Sequence, residues 1–420
     1  MNRVVVTGVG VIAPNGHGRV AFEQALRSGV SGLRTQEKMK TLGFGCTVAG
    51  VPQDVDALSE RYFPADARLA MNSNMTFACI AGLDCWRDAA LGEPDAAATD
   101  WDTGAIMGTG IGGIDTIGEI LVPKTDAGQV RRLGSTLVEQ VMSSSPSARL
   151  GGFLGLGNQL TSNSSACTTG TEAVVNAFLH VKQGRAKRMI AGGSEGSSHY
   201  IWAGFDAMRV LNRKHNDAPE KASRPMSASA GGFIPGSGAG CLMLESLESA
   251  EARGARIYAE VLGGSVNCGG QRNGGSMTAP NPEGVQRCIR AAMGEARVEA
   301  KDIDAINGHL TATMADVPEI LNWQKALGLA PERFPWIQST KSLVGHALGA
   351  AGGIECVAAV LELSHGFIHG TLNCEDLHPQ LEAFRSRIPQ QTVDERINVI
   401  AKASFGFGDV NGCVIFKRWN

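Results

Sequence analysis

Ser164-Ser165-Ala166-Cys167-Thr168-Thr169-Gly170-Thr171 is the stretch that decides the fold. Small residues lead into a cysteine, and threonines with a glycine then open a stretch of apolar residues at helical spacing. That spacing predicts a helix over 171–183, stopped by Gly184, with a strand before it near Thr161 and another over 188–191. A second stretch, 337–370, repeats the plan. Strand residues 337–340 run into Val344-Gly345-His346, then small residues Ala350-Ala351-Gly352-Gly353, a helix over 354–364 and Gly366. Each stretch carries a reactive residue where a strand turns into a helix. The chain therefore reads as a duplicated α/β unit, one copy in each half.

Working outward, short apolar runs alternate with amphipathic stretches. Residues 3–7, 103–109, 187–191, 240–244 and 257–262 read as strands; 20–28 and 66–91 read as helices. This predicts an α/β protein whose sheets are covered by helices. Gly8-Val9-Gly10 is read as a turn, since no helix opens after it as a dinucleotide fingerprint requires. A boundary between 1–250 and 251–420 is expected at the charged segment 248–256. The 420 residues are 43% hydrophobic and 19% charged, with net charge −3, so no global charge favours nucleic acid or an anionic membrane. No apolar run reaches the roughly 20 residues of a membrane span. Ten cysteines without a Cys-x-x-Cys pair argue for a reducing, cytoplasmic setting.

Cys167 is the sharpest chemical signal. A helix N-terminus is expected to lower its pKa, and the free N–H groups there suit an oxyanion. His309, in Asn307-Gly308-His309, and His346 both stand at strand-to-helix edges among small residues. The other seven histidines, including His369, read as loop or polar-surface residues. The wide spacing between 167, 309 and 346 matches no short metal-ligand motif, so no metal is expected.

These residues lie within motifs that resemble the β-ketoacyl-acyl-carrier-protein synthases, the condensing enzymes of fatty acid and type II polyketide synthesis, in their Cys-His-His branch. The motifs include VVVTGVGVIAP at the start, GTGIGG at 108–113, SSACTTGT at 164–171, AGGSEG at 191–196, GHLTAT at 308–313, KSLVGHALGAAGG at 341–353 and SFGFGDVN at 404–411. The resemblance implies a thiolase-like fold in α-β-α-β-α layers and an acyltransferase that needs no metal or other cofactor. Cys167 would take the acyl chain; His309 and His346 would assist decarboxylation of a malonyl thioester. Lys341 would pair with Glu319. Thr311 and Thr313 would hold the phosphopantetheine arm. Phe407 would gate the acyl pocket within Gly406-Phe407-Gly408-Asp409, and the N–H groups of Cys167 and Phe407 would form an oxyanion hole. An acyl carrier protein would dock on Arg68, Arg209, Arg213 and Lys214. The assembly would be a homodimer, or a heterodimer with a chain-length-factor-like subunit.

Leu310 and Asp409 depart from the family's usual glycines. Asp409 is expected either to restrict the gate's hinge and charge the pocket mouth, or to face solvent. Two other readings remain open: a non-catalytic chain-length-factor role, against which Cys167 argues, and a cysteine hydrolase, for which no carboxylate motif stands beside either histidine.

Overall fold

The computed structural model describes residues 1–95 and 97–419. Ten strands organise it: β1 (Val4–Ala13), β2 (Thr103–Gly108), β3 (Leu160–Thr161), β4 (Arg188–Glu195), β5 (Gly238–Ser246), β6 (Ala259–Cys268), β7 (Ala305–Asn307), β8 (Trp336–Gln338), β9 (Val399–Gly406) and β10 (Val410–Arg418). With the short strand Gly16–His17 appended to β1, they form one eleven-stranded sheet in the order β8-β7-β9-β10-β6-β1-β5-β4-β2-β3.

The order exposes the duplication. The first five strands run β3-β2-β4-β5-β1, and the second five run β8-β7-β9-β10-β6, the same order shifted by five. In both sets the second strand pairs parallel with two neighbours, β2 with β3 and β4, and β7 with β8 and β9. The remaining pairs are antiparallel. The sets meet where Val4–Val6 pair with Ala259–Val261. The expected boundary falls in the helix Leu247–Ala252, between β5 and β6.

Helices make the other layers. Thr169–Lys182 and Ala351–His365 pack on each other and on strands of both sets, so they form a shared central layer. Ser73–Asp88 covers the outer face of the first set, and Pro282–Ala296 that of the second. Strands covered on both faces must be apolar throughout, and every residue of β1 is buried. Among the described residues, one helical segment, Leu348–His365, is long and apolar enough to cross a membrane. It is 89% buried as the core of the central layer.

Two local expectations are corrected. Gly8 and Gly10 are not a turn: β1 runs through them with a bulge between Val6 and Gly8. A Cβ at Gly10 would stand 1.9 Å from the Ala81 carbonyl oxygen, so glycine is there to let the helix Ser73–Asp88 lie against the strand. The helix expected over 66–91 is two, Ala65–Leu69 and Ser73–Asp88, because Asn72 caps the second by accepting from the Met75 N–H.

Candidate active site

The duplicated topology places the reactive residues. β3 leads to Cys167 and then the helix Thr169–Lys182; β8 leads to His346 and then the helix Ala351–His365. Because these helices share the central layer, the two turns meet. The Cys167 sulfur and one nitrogen from each of His309 and His346 lie within 4.8 Å of one another. All three residues are buried, with Cys167 and His309 each 8% exposed.

Cys167 sits on a tight elbow. Ala166 holds a φ of +51°, and the Thr168 and Thr169 N–H groups bond back to Ser165 and Ala166 carbonyls. A Cβ on Gly170 would stand 2.4 Å from the Gly353 nitrogen, so the elbow can lie against the second turn only with glycine there. The expectation of a lowered thiol pKa is corrected: burial pushes Cys167 up to about 11, and the Lys341 charge and a hydrogen bond from the Phe407 backbone pull only part of the way back. Desolvation of the thiolate outweighs the helix terminus.

His346 Nε2 stands 3.1 Å from the Cys167 sulfur. Its Nδ1 accepts the Leu348 N–H at 3.2 Å. That bond leaves the ring proton on Nε2, which is therefore a donor aimed at the sulfur. His309 crosses His346 edge to face, with ring centroids 5.2 Å apart. Both imidazoles are held well below the usual histidine range, by burial first and then by the charges of Lys341 and Lys402.

Glu319 does not pair with Lys341. Its carboxylate accepts the His309 N–H at 2.6 Å and the Leu310 N–H at 2.8 Å, so it builds the turn that presents His309. Burial pushes it up to about 7. The partner of Lys341 is Glu355, on the central helix. Thr311 and Thr313 bring their hydroxyls to 3.0 Å of each other, over a loop whose Thr311 and Ala312 N–H groups bond to Asp316.

The segment Gly406-Phe407-Gly408-Asp409 lies across the elbow. Thr168 Oγ1 donates to the Val410 carbonyl at 2.9 Å, and the Phe407 ring packs on Phe205, centroids 6.1 Å apart. Of the two expectations for Asp409, the one that places it in solvent is corrected. It is fully buried with a φ of +63°, and its carboxylate accepts the Gln271 N–H at 2.9 Å and the Asn281 N–H at 2.7 Å. It fastens this segment to the loop between β6 and the helix Pro282–Ala296, and the Gly408 N–H adds a bond to the Met277 carbonyl at 2.8 Å.

The four expected docking residues are less uniform than the sequence suggests. Arg68 is bonded to Glu60 at 3.0 Å and Arg213 to Asp206 at 3.1 Å. Arg209 and Lys214 stand exposed. Residues 206–214 follow the Phe205 that touches the gate.

Several site residues escaped the sequence reading. Glu195, within AGGSEG, accepts the Gly110 and Gly349 N–H groups at 2.9 Å each and ties the GTGIGG loop to the turn after His346. Lys402 and Glu355 lie behind the histidines. Their signal was a charge inside an otherwise apolar run, as in Val399-Ile400-Ala401-Lys402-Ala403. His369, read as a loop residue, is fully buried and bonded to Thr340 at 2.9 Å.

Known proteins share this chain's sequence and fold. The beta-ketoacyl synthase N-terminal domain matches residues 1–250, and its C-terminal domain matches 258–375. The chain is 33% identical to 3-oxoacyl-[acyl-carrier-protein] synthase 2 of Rhizobium meliloti, covering 100% of this chain and 99% of that protein. Among solved structures, the ishigamide ketosynthase/chain length factor aligns with a TM-score of 0.89 at 30% identity, over 100% of both chains. A type II polyketide ketosynthase bound to its acyl-carrier protein aligns with a TM-score of 0.88 at 28% identity, also over 100% of both. The chain belongs to the β-ketoacyl synthase family.

Proposed function

We propose that this chain condenses an acyl thioester with a malonyl-acyl carrier protein, giving a 3-oxoacyl carrier thioester and CO2. The observation that carries the reading is the convergence of one thiol and two neutral imidazoles at the meeting point of the two duplicated turns. Cys167 attacks the acyl thioester, and the carrier's thiol leaves with the proton. A thiolate suits both halves of the cycle, as nucleophile and then as leaving group. The N–H groups of Cys167 and Phe407 hold the oxyanion.

The malonyl thioester then enters beside Thr311 and Thr313. Its C–C bond to the carboxylate breaks, CO2 leaves, and the electron pair becomes an enolate. The His346 Nε2 proton and the His309 ring donate to the enolate oxygen. The enolate carbon attacks the acyl carbon and expels the Cys167 thiolate. No step asks for a metal or redox cofactor.

The acyl carrier protein docks at Arg209 and Lys214, next to the gate, with Arg68 and Arg213 contributing what their ion pairs leave. We assign the two halves as 1–250, carrying the nucleophile, and 251–420, carrying the histidines. The two-residue edge strand β3 offers a pairing edge for a second subunit, identical or of chain-length-factor type, with its own Leu160 exposed. All ten cysteines are free, which suits a cytoplasmic setting.

Incubation with labelled acyl carrier and malonyl carrier tests the reading. Condensed product with CO2 release is expected. Water-dependent release of the acyl group would assign a hydrolase instead, and inertness both alone and with a companion subunit would assign a structural role.

A further inference from the structure

Lys402 is the anomaly of the second strand set. It stands in the middle of β9, fully buried, in register with Asn307 of β7 and Val414 of β10. A lysine is almost never buried unless paired. Its ammonium lies 2.9 Å from one oxygen of Glu355, whose other oxygen holds Lys341. Two buried ammonium groups thus share one carboxylate. Glu319, whose charge also acts on Lys341, has its oxygens on the His309 and Leu310 N–H groups. The cluster carries one positive charge more than its own glutamate balances. Desolvating such a charge is costly, and an apolar residue in its place would pack more cheaply.

The connections run to every reactive turn. Lys402 donates to Ser404 Oγ at 3.1 Å, and Ser404 Oγ is 2.9 Å from Thr171 Oγ1, in the first turn of the helix behind Cys167. Lys341 opens the short helix that leads to His346. Asn307, paired with Lys402, lies two residues before His309. The same strand ends at the gate.

We propose that Lys402 is a positioning residue of the condensation site, its ammonium sharing Glu355 with Lys341 so that His309 and His346 are kept in their neutral, hydrogen-donating form. The inference rests on the reading of Cys167, His309 and His346 as the catalytic trio. Neutrality matters geometrically. A proton on His346 Nδ1 would face the Leu348 N–H that now donates to it, two donors in opposition, and the ring could not keep its aim. The charged and titratable groups facing the histidines are Lys341 on the turn before His346, Lys402 on β9, Glu355 on the central helix, Glu319 beyond His309, Glu195 at the end of β4, the Cys167 thiol, and each other. Lys341 and Lys402 both push the imidazoles toward neutrality.

The test is the pH profile of CO2 release from malonyl carrier, followed from about pH 8.5 down to the point where the wild type has lost half its rate, in Lys402→Met and Lys402→Arg, with thermal unfolding of each. Met keeps the stem's volume and removes the charge; Arg keeps the charge. In Lys402→Met the acid limb should move up by about one pH unit, close to tenfold slower at its acid end relative to pH 8. Its melting temperature should be no lower than that of the wild type. Lys402→Arg should keep the wild-type limb. An unmoved limb in Lys402→Met overturns the proposal, whatever its stability. If Lys402→Met fails to fold, Lys402→Gln, which keeps a donor for Ser404, reads the same limb. If neither neutral variant folds, Lys402 is a folding residue and the proposal falls. Acyl uptake by Cys167 is measured in parallel. Uptake persisting in Cys167→Ala would overturn the trio itself, and is a result separate from any position of the limb.

Discussion

The two central helices occupy equivalent places in the two halves and do opposite things with charge. Thr169–Lys182 keeps its charges at its rim: Glu172 is half-buried, and Lys182 reaches out to an ion pair with Glu295. Ala351–His365 is buried almost throughout and holds two glutamates, Glu355 and Glu362, inside the core. The first half thus supplies geometry, an elbow and a thiol. The second half supplies the electrostatic environment, through Lys341, Lys402, Glu355 and both histidines. A duplicated unit can divide a reaction in this way because each copy folds by the same strand order while the turn after its third strand is free to change its chemistry.

The comparison breaks if the two helices respond alike to losing a charge. Glu355→Gln removes the carboxylate that two buried ammonium groups share and should cost about 3–5 kcal/mol of unfolding free energy. Lys182→Ala, on the equivalent helix, should cost less than about 1 kcal/mol. Equal losses in denaturant titrations would contradict the division of labour. Next in size, His309→Ala and His346→Ala should each slow CO2 release by about a hundredfold, on the order of 3 kcal/mol in the barrier, while Cys167 still takes up the acyl group. Wild-type CO2 release from either variant would remove that histidine from the enolate step.

A smaller effect sharpens the picture of the gate. Asp409→Gly relieves a positive φ but leaves the Gln271 and Asn281 N–H groups without their acceptor, a local loss of about 1–3 kcal/mol. Tryptic cleavage after Arg272 should rise several-fold while the melting temperature changes little; an unchanged cleavage rate would mean that other bonds hold the loop. The smallest effect belongs to the carrier surface. Reversing Arg209 and Lys214 together should slow carrier association at low salt and little at high salt. A salt-independent slowing would point to a structural disturbance instead.

The sequence made the elbow legible because small residues, a cysteine and a helix start leave few alternatives. The second turn was legible because it repeats the pattern. The strand-order repeat then followed from folding two such units. Long-range pairing was not legible. The resemblance pairs Lys341 with Glu319, and only the packing of the central helix on β9 brings Glu355 to it instead. The thiol's pKa is hidden from the sequence for the same reason, since a helix terminus is a local feature while burial depends on the whole second half closing over the elbow. Asp409 reads as a surface charge until the distant N–H groups of Gln271 and Asn281 are in place around it.

Intact mass of the protein after incubation with acyl carrier, wild type against Cys167→Ala, tests the central claim most directly. The account predicts one acyl adduct on the wild type and none on the folded alanine variant. An adduct of equal yield on Cys167→Ala would contradict it.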